Sequence, residues 1–374
     1  GGEGWLGLRY SGHGFTGVVR FDAFNNSNLL NPLTALTSAG VGMFSLSKEF
    51  KNLTVTGGHI YDQIGTGIIF RAYEDRGLLI DNALFGFHLK YALSEKITVK
   101  GFTGQTKNIF ERYQPVIKGA VVEGDFGIGK SAHLTPGIGA INRTIDQKSM
   151  DGVIANINIL PEEKRFVPTY NMSAMSVYNT LNVGNLTWYV EGAMKTKEAI
   201  VLPAEGLKNR SGTVLYTTAG YAMNKLGINA SIKRTENFVM RTSPNEELLR
   251  GIFAWQPIIA QIRPQRLIAR YTPPSQDLSE IAYNANAFYT PNENYNFNVA
   301  YTHINTLEDV ALYREVFAEA EVRSIDKMIF HVGAQYLVYN QALYQNKIEK
   351  EWPEINAITP FLEVVYKINK KHSI

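Results

Sequence analysis

Residues 186–195 read Leu186-Thr187-Trp188-Tyr189-Val190-Glu191-Gly192-Ala193-Met194-Lys195. Leu186, Trp188, Val190, Gly192 and Met194 fall on alternate positions, and Thr187, Tyr189, Glu191, Ala193 and Lys195 fall between them. Successive side chains of a β-strand point to opposite faces, so this stretch is a ribbon with one oily side and one polar side. Its length of about ten residues is what a tilted strand needs to cross a hydrocarbon layer.

The same beat runs outward in both directions. In 226–233, Leu226, Ile228, Ala230 and Ile232 oppose Gly227, Asn229, Ser231 and Lys233. In 84–93, Phe85, Phe87, Leu89, Tyr91 and Leu93 oppose Gly86, His88, Lys90 and Ala92, and in 295–302 Tyr295, Phe297, Val299 and Tyr301 oppose Asn296, Asn298, Ala300 and Thr302. Counting such segments predicts 17 strands: 5–10, 15–24, 41–50, 53–61, 84–93, 96–106, 116–126, 133–143, 168–181, 186–195, 213–223, 226–236, 278–289, 295–304, 311–323, 328–339 and 357–368.

The links between them alternate too. Short links are read at 51–52, 94–95, 127–132, 182–185, 224–225, 290–294, 324–327 and 369–371. Long ones are read at 25–40, 62–83, 107–115, 144–167, 196–212, 237–277, 305–310 and 340–356. Tight turns at one end of an antiparallel wall and long loops at the other are the pattern of a membrane barrel. The short link at 11–14 is read as falling on the wrong side of this rhythm. Asn369-Lys370-Lys371 reads as a turn, with His372-Ser373-Ile374 entering another strand. The expectation is therefore one all-β domain over 1–374, a transmembrane antiparallel β-barrel of about 16–18 strands or more, incomplete at both ends.

Composition agrees with this. Charged residues are 19% and hydrophobic residues 45%, with 32 Gly, 20 Tyr and 19 Phe, a mixture that favours turns and strands. Lys and Arg exceed Asp and Glu by only 3 charges, too even for a nucleic-acid binder. The absence of cysteine excludes disulfides, thiolate metal sites and thiol nucleophiles. Mean hydropathy is −0.14, and no apolar run approaches the 18 residues or so of a transmembrane helix.

A Lys or Arg facing lipid at mid-bilayer costs about 2–4 kcal/mol, so charged faces must point inward. In 311–323, Glu315, Glu319, Glu321 and Arg323 share one face, while Leu312, Val316, Ala318, Ala320 and Val322 share the other with Arg314. The inward set also holds Lys90, Lys100, Lys195, Lys233 and Lys367 against Glu123, Asp125, Glu191, Glu280 and Glu363. Tyr10, Phe50, Tyr61, Tyr289, Tyr295 and Tyr339 sit at strand ends, where interfacial girdles are expected.

One stretch breaks the alternation: Tyr61-Asp62-Gln63-Ile64-Gly65-Thr66-Gly67-Ile68-Ile69-Phe70-Arg71-Ala72-Tyr73-Glu74-Asp75-Arg76-Gly77-Leu78-Leu79-Ile80-Asp81-Asn82-Ala83-Leu84-Phe85-Gly86, with the loop itself at 62–83. Gly65 and Gly67 permit sharp turns, and its opposite charges invite pairing. It reads as a loop folded into the mouth or lumen and tied to the wall, with Gln63, Arg71, Tyr73, Glu74, Arg76, Asp81 and Asn82 joining Glu315, Glu319 and Glu321 as candidate constriction residues. Trp255, Pro257 and Arg263, in the long 237–277 link, are candidates for contact with a partner or ligand.

Tyr61 to Gly67, Arg71 to Glu74 and Asp81 to Gly86 together resemble a family of uncharacterised outer-membrane proteins of Bacteroidota. The resemblance implies an outer-membrane barrel preceded by a signal peptide and followed by further strands. It assigns no functional residue.

Catalytic signatures are missing. Gly124-Asp125-Phe126-Gly127-Ile128-Gly129-Lys130-Ser131 ends like a phosphate loop but lacks the first Gly at the required spacing, and reads as a turn. The seven histidines are scattered without metal-ligand spacing, and no cofactor is implied. The expected function is non-enzymatic passage of small solutes through a polar lumen. The alternative is a scaffold or accessory subunit of a protein-export or barrel-assembly complex. Outer-membrane lipid is the expected partner, joined in the second case by other outer-membrane proteins or lipoproteins, and nucleic acid is not expected.

Overall fold

The computed structural model describes the chain except residues 29–34, 79, 203–205, 247–249, 266, 274–278, 346–352, 370, 371 and 374. The wall begins with β1 (Gly2–Gly12), β2 (Phe15–Ser27), β3 (Leu36–Glu49) and β4 (Leu53–Ile60). A small separate hairpin, β5 (Glu74–Asp75) and β6 (Ile80–Asp81), interrupts it before β7 (Leu84–Ala92), β8 (Ile97–Asn108), β9 (Glu111–Gly124), β10 (Phe126–Ile128) and β11 (Ala132–Thr144). Helix α1 (Gln147–Ile159) precedes β12 (Asn171–Val183), β13 (Leu186–Leu202), β14 (Gly206–Ala222) and β15 (Leu226–Glu236). The remaining elements are β16 (Glu280–Asn292), β17 (Tyr295–Thr306), β18 (Ala311–Val322), β19 (Met328–Tyr339), α2 (Gln341–Gln345), β20 (Ile355–Asn369) and β21 (His372–Ser373).

Sequential strands pair antiparallel throughout, in a 19-stranded sheet that includes β10 and β21. Because β10 continues β9 past Asp125 and β21 is a two-residue stub on β20, 17 full-length strands make the wall among the described residues. They coincide with the 17 expected from alternation. The 124–131 stretch is β10 and its turn, with no helix following. Lys370, Lys371 and Ile374 lie outside the described residues.

The faces divide as the pattern requires. Phe87, Leu89, Trp188, Met194, Leu215, Ile228, Val299, Val316 and Leu362 are exposed on the outside. On the inside, Glu191, Lys195, Lys233, Glu280 and Glu315 are buried. An apolar belt of this extent is stable only against hydrocarbon.

Four expectations need correction. The turn at His13-Gly14 lies at the same end as the other tight turns, because it is the first link and every odd-numbered link falls at that end. His13 and Gly14 both adopt positive φ, 52° and 74°, the type I′ geometry whose twist suits a two-residue hairpin. The links read as long at 107–115 and 196–212 are largely strand, since β8 and β9 are joined at 109–110 and β13 and β14 run on to Leu202 and from Gly206; the link read at 305–310 shortens to 307–310 between β17 and β18. Beyond the bilayer, lipid no longer selects apolar side chains, so the sequence loses its alternation while the backbone ladder continues.

The 144–167 link contains α1, capped by Asp146, whose carboxylate accepts from the Ser149 N–H and hydroxyl. Its Met150, Val153 and Ile157 are buried, on helical spacing, and Val153 and Ile157 pack on Ala199. Finally, Tyr10, Phe50, Tyr289 and Tyr295 are exposed as girdle residues should be, whereas Tyr61 and Tyr339 point inward. The Tyr61 hydroxyl donates to Asp81, and Tyr339 stacks on Tyr344 of α2 with ring centroids 4.9 Å apart.

Candidate functional site: the filled lumen

The segment 61–83, between β4 and β7, folds into the barrel. Its tip holds Ile64, Ile68, Ile69 and Phe70, all at most 1% exposed. They pack against the inward residues Phe102, Ile117, Val121, Ile141, Met172 and Tyr178 of the wall. Full burial stabilises side chains of this size by roughly 1.5–3 kcal/mol each. Phe70 stacks on Phe102 with centroids 4.4 Å apart.

Glu191, on the inward face of β13, fixes the tip. Its carboxylate accepts from the Thr66 N–H at 2.9 Å, the Thr66 hydroxyl at 2.6 Å, Ser176 at 2.6 Å and Tyr189 at 2.6 Å. Gly65 has φ +54°, and a Cβ there would lie 2.7 Å from the carboxylate, so the close approach requires glycine.

The base of the segment is held by ions. Arg20, on β2, pairs with Asp22 beside it at 2.7 Å, with Glu74 at 2.7 Å and with Asp81 at 3.3 Å. Lys107 also pairs with Asp81. Asp62 receives His88 at 2.9 Å and faces Lys100 at 3.5 Å. Burial opposes the charge of Asp62, but the His88 hydrogen bond, the attraction of Lys100 and the Gln63 N–H overcome it and hold the carboxyl below its usual range. Burial, and then the charges of Asp81 and Glu74, push the Tyr61 phenol up, so it remains a donor.

Described parts of a second segment, within 237–279, enter the same space. Phe238, Met240 and Phe253 join the apolar cluster around the first segment's tip. The two segments bond backbone to backbone: the Arg71 N–H donates to Phe253 O and the Trp255 N–H to Gly67 O. Asn82 staples them, accepting from the Tyr73 N–H at 2.7 Å and donating to Arg71 O at 3.0 Å and Ile252 O at 2.9 Å.

Trp255, Pro257 and Arg263, the candidates for contact with a partner or ligand, lie against inward side chains. Trp255 is half-buried beside Arg71, Pro257 is buried and accepts from Lys233 at 2.9 Å, and Arg263 is buried against Glu315 at 3.1 Å and over the Phe317 ring. Inward polar side chains of the wall needed partners, and this segment supplies them. Pro274, in the same link, lies outside the described residues. A third insertion, α2, buries Ala342 and Tyr344 near β16–β19.

The sequence candidates thus fall in three places. Gln63, Arg71, Tyr73, Glu74, Asp81 and Asn82 are gathered on the first segment, and Tyr61, Asp62, Gln63, Ala72, Tyr73 and Glu74 line an open cavity of about 420 Å³. Arg76 is more than half exposed, pairs with Glu74 and lies over the Trp5 ring. Glu315 is buried with Arg263 and Gln335; Glu319 faces His331, and Glu321 faces Arg323, both half-buried along the inner wall. Sequence reasoning read Glu191 and Lys100 only as wall charges and missed Arg20 and Lys107; their sole local signal was an inward position on a strand.

A wall of antiparallel strands with lipid outside and a polar interior closed down by inserted segments defines a transmembrane β-barrel of the outer-membrane type. The whole chain, residues 1–374, matches the family model described as "Family of unknown function (DUF6029)", and the protein belongs to that family. No protein of curated function matches it. Among solved structures, it is similar to three from Pseudomonas aeruginosa. OccK8 (OprE) has a TM-score of 0.49 at 10% identity, over 90% of this chain and 84% of that one. OpdL has 0.47 at 9%, over 90% and 86%, and OpdK with vanillate 0.46 at 11%, over 90% and 87%.

Proposed function

We propose that the protein is a non-enzymatic outer-membrane channel that passes small polar solutes through a lumen narrowed by residues 61–83 and 237–279. One observation carries this reading. The narrowing segment is fastened at both ends to wall residues, while hydrophilic groups still face open space beside it: the 420 Å³ cavity from Tyr61 to Glu74 and the half-buried Glu319, Glu321 and His331. A lumen meant only to be solid has no reason to keep carboxylates facing a cavity. The narrowness favours small solutes over bulk diffusion.

Single-channel recording in planar bilayers tests it. The expected result is a small, discrete conductance that rises when the fastenings at Arg20 and Glu191 are removed together. An electrically silent barrel, before and after that change, overturns the reading. A second reading, a scaffold or accessory subunit of an envelope complex, draws support from the extent of apolar packing inside the barrel and from the β13–β14 hairpin that runs on to Leu202 and Gly206. Copurification with fixed outer-membrane partners, together with electrical silence, favours it.

A further inference from the structure

Seven cations around the inserted segments follow one rule. Arg20, Lys100, Lys107, Arg143, Lys195, Lys233 and Arg263 each face a carboxylate within 4.0 Å. Arg71 is half-buried at the junction of the two segments, and among the described residues no carboxylate is paired with it. Instead its guanidinium carbon lies 4.3 Å from the centre of the Tyr73 ring and 4.9 Å from that of Trp255. Its stem lies over Gly67, where φ is +97° and a Cβ would come within 2.8 Å of the Arg71 Cβ. The backbone beneath is pinned by Phe253 and Asn82.

Rings on a guanidinium hold its plane and leave its in-plane N–H donors unspent. A positioned cation with its donors free is a recognition element. Asp62 is already held by His88 and Lys100, and Glu74 by Arg20.

We propose that Arg71, framed by Tyr73 and Trp255, binds the carboxylate of a small solute in the lumen. The planar fork of a guanidinium matches a planar carboxylate with two parallel hydrogen bonds. A single positive charge balances a single negative one, and Asp62 and Glu74 on the same segment disfavour a dianion such as phosphate. The site needs both segments, since Tyr73 comes from one and Trp255 from the other. Binding there reports on their docking as well as on the ligand.

The inference rests on the channel reading for its physiological sense, and the experiment separates the two. In the full chain with Trp5, Trp188 and Trp352 changed to Phe, the fluorescence of Trp255 is titrated with sodium acetate in detergent at fixed ionic strength. Saturable change is expected, with phosphate at least tenfold weaker. Arg71→Gln should abolish the response, and Arg71→Lys should weaken it about tenfold, since Lys keeps charge but not the fork. Native heat-modifiable gel mobility certifies each variant as folded; where Arg71→Gln fails that check, Arg71→Lys carries the comparison. No saturation in the parent, or an unchanged affinity in a folded Arg71 variant, overturns the site. A parent that binds acetate but conducts nothing in bilayers keeps the site and removes the channel; one that conducts but does not bind removes the site and keeps the channel.

Discussion

The segment 61–83 is fastened twice, by opposite chemistry. At its tip, the Glu191 carboxylate is satisfied by three hydroxyls and a backbone N–H, with no cation bonded to it among the described residues. At its base, Arg20 gathers Asp22, Glu74 and Asp81, and Lys107 adds a second cation. The tip is set among isoleucines and phenylalanines, where short, directional hydrogen bonds fix one position without admitting a second long charged chain. The base lies beside open space, where ions can be solvated when the segment shifts. The difference suggests a rigid tip and a base whose hold depends on charge state.

The largest test of that contrast is Arg20→Ala. It strands Asp22 and Glu74 in a site where Arg20 and Asp22 side chains are only 8% and 4% exposed, and removing one partner of such a group costs about 3–5 kcal/mol. Urea unfolding in detergent should show that loss, and bilayer recordings should show larger and noisier currents. Glu191→Ala comes next. Its four donors lose their acceptor in a dry site, for about 2–3 kcal/mol, and Glu191→Gln should lose only about 1 kcal/mol because an amide oxygen still accepts. If the alanine variant unfolds at the parent's urea concentration, the tip is not held by this residue.

Acid should discriminate between the two ends. Asp62 is held below its ordinary value near 4, so its contribution is present in full above that value and fades as pH falls through the lowered one. Protease cleavage within 61–83 should therefore increase between about pH 4 and pH 2, and Asp62→Asn should weaken that dependence, leaving the part due to the carboxylates on Arg20 and Lys107. A cleavage rate indifferent to acid in the parent would place the hold elsewhere. The smallest effect is expected from Arg76→Ala: its side chain is 54% exposed, and the change should stay within about 0.5 kcal/mol. A larger loss would mean that its contact over Trp5 matters more than its exposure indicates.

Much of the wall is legible in the sequence alone. Lys195, Lys233 and Glu315 were read as inward from parity alone, and each is at most 4% exposed. Helix α1 was readable too, from Asp146, Ser149 and the spacing of Met150, Val153 and Ile157, but the expectation of a loop at that end obscured it. The extensions of β13 and β14 were not, because ladder hydrogen bonds hold them where no solvent boundary marks the sequence. The inward fold of 61–83 was expected from its broken alternation and paired charges. That of 237–279 was not: Trp255 and Pro257 look the same in a sequence whether they face a partner or a lumen.

Sequence by itself determined which strands exist and which side of each meets lipid, because parity is a local property and the penalty for a charge in hydrocarbon is large at every position. Only the tertiary structure decided what fills the interior. Arg20 meets Glu74, Thr66 meets Glu191 and Arg71 meets Trp255 because the curved wall brings distant segments into one enclosed space. Pairing inside it is set by which buried donors and charges would otherwise go unsatisfied, a quantity that no single stretch of sequence contains.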